Sequence, residues 1–231
     1  MHIETVKKPT VTFIFGTRPE AIKLASVILS FKKCSRITTK VVITGQHKKM
    51  LAQVLDIFNI KYDHNLSIFQ EKQTLENITT RTINELNKYF NKESSDLIIV
   101  QGDTTSAFSA ALAAFYKKIP VGHIEAGLRT NNLYDPFPEE ANRRLISSIS
   151  SLHFAPTQES KNNLIKNDVI GNIHLTGNTV IDSLLLASDS NPKIKINNFD
   201  EQKQKLILVT IHRRENWGLK IESIVFGLKK L

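Results

Sequence analysis

Residues 96–117, DLIIVQGDTTSAFSAALAAFYK, decide the fold. Leu97, Ile98, Ile99 and Val100 are four apolar residues in a row. A strand with one wet face alternates apolar and polar side chains, whereas an unbroken apolar run suits a strand covered on both faces. The run predicts a strand over 96–100. Gly102 ends it, and the Ala-rich stretch from about 104 to 117 predicts a helix. Strand, tight turn and helix form half of a parallel βαβ unit.

The same unit recurs on either side. Towards the N-terminus, VTFIF (11–15) predicts a strand that stops at Gly16. A helix then runs to about Lys33, with Pro19 suited to its first turn and Glu20 to the positive end of its dipole. TKVVIT (39–44) predicts a second strand, followed by helices over 47–58 and 75–91. Towards the C-terminus come a strand at 119–123, an irregular stretch to Pro138 and a helix at 139–150. A strand at 152–155, a helix at 157–166, a strand near 173–175 and a helix at 178–187 complete the series. This alternation predicts an α/β domain built on a doubly wound, Rossmann-like parallel sheet covered by helices on both faces.

Residues 188–204, SDSNPKIKINNFDEQKQ, break the pattern and read as a linker. LILVTIH (206–212) then predicts a new strand, and 219–231 a helix. One strand and one helix cannot bury a core. The expected organisation is a first domain over 1–187, a linker over 188–204, and at 205–231 the first βα unit of an incomplete second domain.

Composition removes several classes. The formal net charge is +9 and the pI about 9.6. The lysines are scattered, however, with no basic stripe interleaved with aromatics, so surface charge and a small acidic ligand are expected rather than nucleic acid. No apolar run is long enough to span a bilayer, and the start MHIETVKKPTVTFIF lacks the features of a signal peptide. The expected location is the cytoplasm. A single cysteine, Cys34, permits no intrachain disulfide. His and Cys show no metal-ligand spacing, so no metal is expected. No nucleophile elbow is present.

In an open parallel sheet, ligands gather beyond the carboxyl ends of the strands. The segments there are GTRPEAIK (16–23), TGQH (44–47), QGDTT (101–105), HIEAGLRT (123–130) and TIHRREN (210–216). GTRPEAIK is neither a dinucleotide fingerprint nor a P-loop, so no NAD or ATP cofactor is inferred. Its glycine turn into a helix N-terminus is a candidate anion site, with Arg18 and Lys23 as cations. Asp103 suits an N-cap beside Thr104 and Thr105. Glu125 follows a buried strand, where capping explains less. Glu139 and Glu140 open a helix, and Glu139 has the i,i+4 spacing of an ion pair with Arg143. His212, Arg213 and Arg214 concentrate positive charge after the last predicted strand, while His47 and His123 read as structural. Several carboxylates and several cations thus converge on one sheet edge.

FGTRPEAIK (15–23), QGDTTSA (101–107), VGHIEAGLRT (121–130), PFPEEANRR (136–144), TGNTVIDSL (176–184) and TIHRRENWG (210–218) together resemble the non-hydrolysing UDP-N-acetylglucosamine 2-epimerases, collinearly over about 12–230. The resemblance implies a two-domain fold of the glycosyltransferase-B type with its active site in the interdomain cleft. It implies interconversion of UDP-N-acetylglucosamine and UDP-N-acetylmannosamine for surface polysaccharides, by elimination of UDP to 2-acetamidoglucal and re-addition, with no cofactor. Asp103, Glu125 and Glu139 are the carboxylates it implicates in acid–base work. Arg18, Lys23, Arg143, His212 and Arg213 are the matching polar and cationic positions, of which His212 is counted with the catalytic set. Gln46 and Arg213 match positions that bind an activating UDP-sugar, and Lys72 stands where such members often carry Arg. The resemblance allows a homodimer.

Family members continue well beyond position 231, and the missing part carries most nucleotide contacts. The chain alone is therefore expected to be inactive or nearly so, and a separate polypeptide could supply the other half. A sugar transferase of the same general fold and a non-catalytic remnant of a split gene are the alternatives.

Overall fold

The computed structural model describes residues 7–45, 48–130, 132–189, 196, 200, 203–210 and 218–229. The chain divides into two compact units between residues 192 and 193.

In the first unit the strands are β1 (Thr10–Phe15), β2 (Thr38–Ile43), β3 (His64–Asn65), β4 (Leu97–Gln101), β5 (Val121–Ile124), β6 (Leu152–Ala155) and β7 (Asn172–Leu175). They form one sheet in the order β3-β2-β1-β4-β5-β6-β7, with every neighbouring pair parallel. The helices are α1 (Arg18–Lys33), α2 (Lys48–Ile57), α3 (Leu75–Phe90), α4 (Thr105–Tyr116), α5 (Glu139–Ile149), α6 (Gln158–Lys166) and α7 (Thr179–Asp189). This is the doubly wound, Rossmann-like α/β sheet that the apolar runs imply.

Successive strand residues feed opposite faces, which is why both parities are apolar. Phe13, Phe15, Val41, Ile43, Ile99 and Ile124 pack with Leu24, Ile28, Leu51 and Val54 of α1 and α2. Ile14, Val42, Ile98, Val100 and Val121 pack on the other face with Ile78 and Leu86 of α3, the alanines of α4 and Ile146 of α5. Ala107, Ala110, Ala111 and Ala114 are buried, and their small side chains let α4 lie close to the sheet. A buried Ile or Leu of this kind stabilises by roughly 1.5–3 kcal/mol.

Only β3 has no counterpart in the sequence pattern. It is two polar residues long and pairs with the end of β2 at the sheet edge, so it leaves no apolar signature.

Strand order reverses between β1 and β4. Crevices at the carboxyl ends of such strands are where ligands bind in open α/β sheets.

In the second unit the strand expected over 206–212 is not seen as far as it is described, and residues 211 and 212 lie outside the described residues. Its described residues 206–210 belong to no strand, and Leu206, Ile207, Leu208 and Val209 are exposed. A β-strand needs a neighbour to satisfy its N–H and C=O groups. Helix α8 (Leu219–Leu228) does form, because its hydrogen bonds are internal. Among the described residues no helix is long and apolar enough to cross a membrane.

Candidate active site

Register places the candidate carboxylates side by side. Gln101 of β4 pairs with Ile124 of β5, and the Gly102 N–H donates to the Ile124 carbonyl at 3.0 Å. Gly102–Asp103 therefore leaves the sheet next to Glu125–Ala126.

Glu125 sits at φ +65°, a left-handed conformation that costs a non-glycine residue about 1 kcal/mol or more. Its carboxylate is well held. Lys23 Nζ of α1 donates to both oxygens at 2.7 and 2.6 Å, and Gln101 Nε2 donates to Oε2 at 2.6 Å.

Asp103 is not the N-cap of α4. That place belongs to Thr104, whose hydroxyl accepts the Ala107 N–H. Asp103 instead faces Arg143 of α5, which sends Nε and Nη2 to Oδ2, each at 2.7 Å. Asn142 Nδ2 holds the Asp103 carbonyl at 2.8 Å. The spacing-based pair of Arg143 with Glu139 is also corrected: Arg143 turns to Asp103 and to Glu140 Oε2, the latter at 3.3 Å. Glu139, the first residue of α5, is half-buried and has no ion pair with a described residue.

The glycine turn before α1 is not an open anion site. Glu20 is fully buried and accepts the N–H groups of Gly16 and Thr17 at 2.8 and 2.7 Å. Its other oxygen takes the Thr104 hydroxyl at 2.5 Å, which ties the N-termini of α1 and α4 together across the switch point. Burial raises the Glu20 pKa, against the lowering effect of hydrogen bonds from Thr104, Gly16 and Thr17. The turn can approach this closely because residue 16 is glycine: a Cβ there would lie 2.1 Å from Thr44 Oγ1. Arg18 is exposed and forms no ion pair with a described residue.

His123 lies beneath the Asp103 turn, fully buried, with Nε2 2.7 Å from the Gly102 carbonyl. A carbonyl can only accept, so Nε2 carries a proton. Burial pushes its pKa down to about 4, a carbonyl bond opposes that, and His153, Arg129 and Arg143 add to it. Beside it, burial lowers the Arg129 pKa, Glu140 opposes this, and Arg144 and Arg143 reinforce it.

Of the residues named from sequence, the structure brings together Lys23 with Glu125 and Asp103 with Arg143. Lys72 is exposed in the segment before α3 and pairs with neither. Gln46, His212 and Arg213 lie outside the described residues. Sequence reasoning missed Gln101, Thr104 and Arg129, and it read Glu20 only as a dipole partner and Glu140 only as an acid opening a helix. The burial of these two glutamates depends on contacts from distant segments, which local spacing does not carry. Among the described residues no group of His, Cys, Asp and Glu could hold a metal ion.

The family model for UDP-N-acetylglucosamine 2-epimerases matches residues 29–231. A UDP-N-acetylglucosamine 2-epimerase of Neisseria meningitidis is 50% identical over 229 residues, covering 94% of this chain and 61% of that protein. One from Bacillus subtilis is 46% identical over 228 residues, covering 98% and 60%. Among solved structures, the N. meningitidis UDP-GlcNAc 2-epimerase bound to UDP-GlcNAc has a TM-score of 0.75 at 54% identity, covering 78% of this chain and 50% of that one. An S. aureus MnaA–UDP co-structure has a TM-score of 0.81 at 37% identity, covering 96% and 59%. The chain spans about three-fifths of the length of the curated relatives it matches, 61% and 60%. With half its residues shared and its own parallel sheet superposing on theirs, the chain belongs to the UDP-N-acetylglucosamine 2-epimerase family.

Proposed function

We propose that this chain serves the interconversion of UDP-N-acetylglucosamine and UDP-N-acetylmannosamine, by elimination of UDP to 2-acetamidoglucal and re-addition with inversion at C2. The observation that carries the reading is the pair of carboxylates, Asp103 and Glu125, leaving adjacent strands and each held by a cation from another element.

The C2 proton is not beside a carbonyl, so its removal needs a positioned base acting as the anomeric C–O bond breaks. Its return on the opposite face needs a second acid–base group. Asp103, Glu125 and Glu139 are assigned to this work. Both Arg143 N–H groups meet Oδ2 of Asp103, which leaves Oδ1 without a partner among the described residues. Glu139 has no ion pair with a described residue and stands at the positive end of α5. Lys23, Arg143 and Arg18 supply positive charge for the departing diphosphate. The reading assigns this acid–base wall to the present chain. It assigns the nucleotide-holding wall, entered through His212 and Arg213, largely to the part of the relatives that the chain does not cover.

The test is an NMR assay of UDP-N-acetylglucosamine in deuterated water with the 231-residue chain. Deuterium should enter C2, slowly, and incorporation should drop by about 100-fold or more in Asp103→Asn and Glu125→Gln. Undiminished incorporation in both variants would remove the assignment.

A further inference from the structure

Three partners of Glu140 need explaining together. Its side chain has no exposed surface. Oε1 accepts Arg144 Nε at 2.7 Å, and Oε2 accepts the Thr130 N–H at 3.0 Å and Arg143 Nη1 at 3.3 Å. All three partners are donors, so only an acceptor-only group satisfies them. An amide in its place would set its own N–H against a donor whichever way it turned. A carboxylate this deeply buried is costly unless every lone pair is used.

Arg143 is consequently gripped on both edges of its planar guanidinium. Nε and Nη2 point to Asp103, and Nη1 to Glu140. Two anchors fix the plane, where one would leave rotation about the bond to Asp103. The same Glu140 carboxylate fastens Thr130 of the β5–α5 connection to α5. It also stands among Arg129, Arg143 and Arg144 as their counter-charge.

We propose that Glu140 is a positioning residue: it aims Arg143 at Asp103, and so sets the orientation of that carboxylate without touching substrate. The role rests on the reading of Asp103 as an acid–base group. It differs from that of the adjacent Glu139, which has no such anchors.

The experiment follows the Arg143 Nε–H by NMR in the full 231-residue chain labelled with ¹⁵N-arginine. In the parent this proton should exchange slowly with water. In Glu140→Gln its exchange should speed up by about tenfold, the loss of one anchoring hydrogen bond, and Glu140→Asp should fall between. Thr157→Ala, which removes the cap of α6, is the destabilising control and should leave the Arg143 signal unchanged. Unchanged Arg143 exchange in Glu140→Gln with lowered melting temperature would overturn the proposal, since Glu140 would then only brace the loop. Should Glu140→Gln not fold, Glu140→Asp alone decides by the same criterion.

C2 deuteration of UDP-N-acetylglucosamine is measured alongside. Exchange at C2 that survives undiminished in Asp103→Asn and Glu125→Gln would sink the functional reading while leaving the Arg143 result intact. If the parent does exchange at C2, Glu140→Gln should lower kcat with KM little changed.

Discussion

Leu97–Gln101 reads LIIVQ and Leu206–Thr210 reads LILVT. Nearly the same five residues meet opposite ends. In β4, Ile98 and Val100 are 0% exposed and Ile99 is 2% exposed. In the second unit, Leu208 is 89% exposed and its described residues form no strand. The apolar run states that a segment will be a covered strand if neighbours arrive, and it cannot supply them. β4 has β1 on one side and β5 on the other, with α4 over one face. Residues 206–210 have no strand partner among the described residues. α8 forms regardless, since a helix closes its own hydrogen bonds.

The largest expected difference between the two segments lies in their tolerance of charge. Ile98→Asp should cost more than about 4 kcal/mol and leave the first unit unfolded, because an unpaired carboxylate would sit in a dry core. Leu208→Asp should change stability by no more than about 0.5 kcal/mol. Urea denaturation followed by circular dichroism compares the two. Equal losses would mean that residue 208 is covered in solution.

The next contrast concerns what the covered sheet does to a polar side chain. His123 has a depressed pKa, so the unfolded chain takes up its proton first. Its contribution is therefore whole above the ordinary histidine value of about 6.5 and is lost as pH falls towards 4. Between the ordinary value of 6.5 and about 4, it amounts to roughly 3 kcal/mol. His123→Gln keeps a donor for Gly102 and removes the titration. Its stability should be flatter than the parent's across that window in a pH series of urea melts. A parent and variant with identical acid profiles would refute the assignment.

The smallest effect belongs to the knot at the switch point. Thr104→Val removes both the α4 cap and the hydroxyl that Glu20 accepts, and should cost about 1–2 kcal/mol by thermal melting. A loss no larger than a surface change gives would show that the two helix N-termini are held by packing alone.

The site was legible in part. Asp103 and Glu125 stood out because charged residues directly after buried strands must meet at one sheet edge. Lys23 was singled out as a cation one helical turn further on, and Arg143 by its spacing from Glu139 and by the family resemblance. Their pairing was not legible. Spacing offered Glu139 to Arg143, yet the side chain reaches across to Asp103, forty residues away in sequence. Glu20 and Glu140 resembled ordinary first-turn acids, and their burial arises only when α4, the Thr130 segment and the arginines close over them. The short β3 carried no apolar run to announce it.

By itself the sequence determined the alternation of strand and helix, the two-sided burial of the sheet and the edge at which charge collects. These follow from local hydrophobic patterning and turn chemistry, which each segment carries within itself. Tertiary structure alone decided which carboxylate meets which cation, which glutamates are dry, and which of two nearly identical apolar runs becomes a strand. Those outcomes depend on partners brought from far along the chain, and hydrogen-bond satisfaction and desolvation are properties of the assembled neighbourhood rather than of any segment.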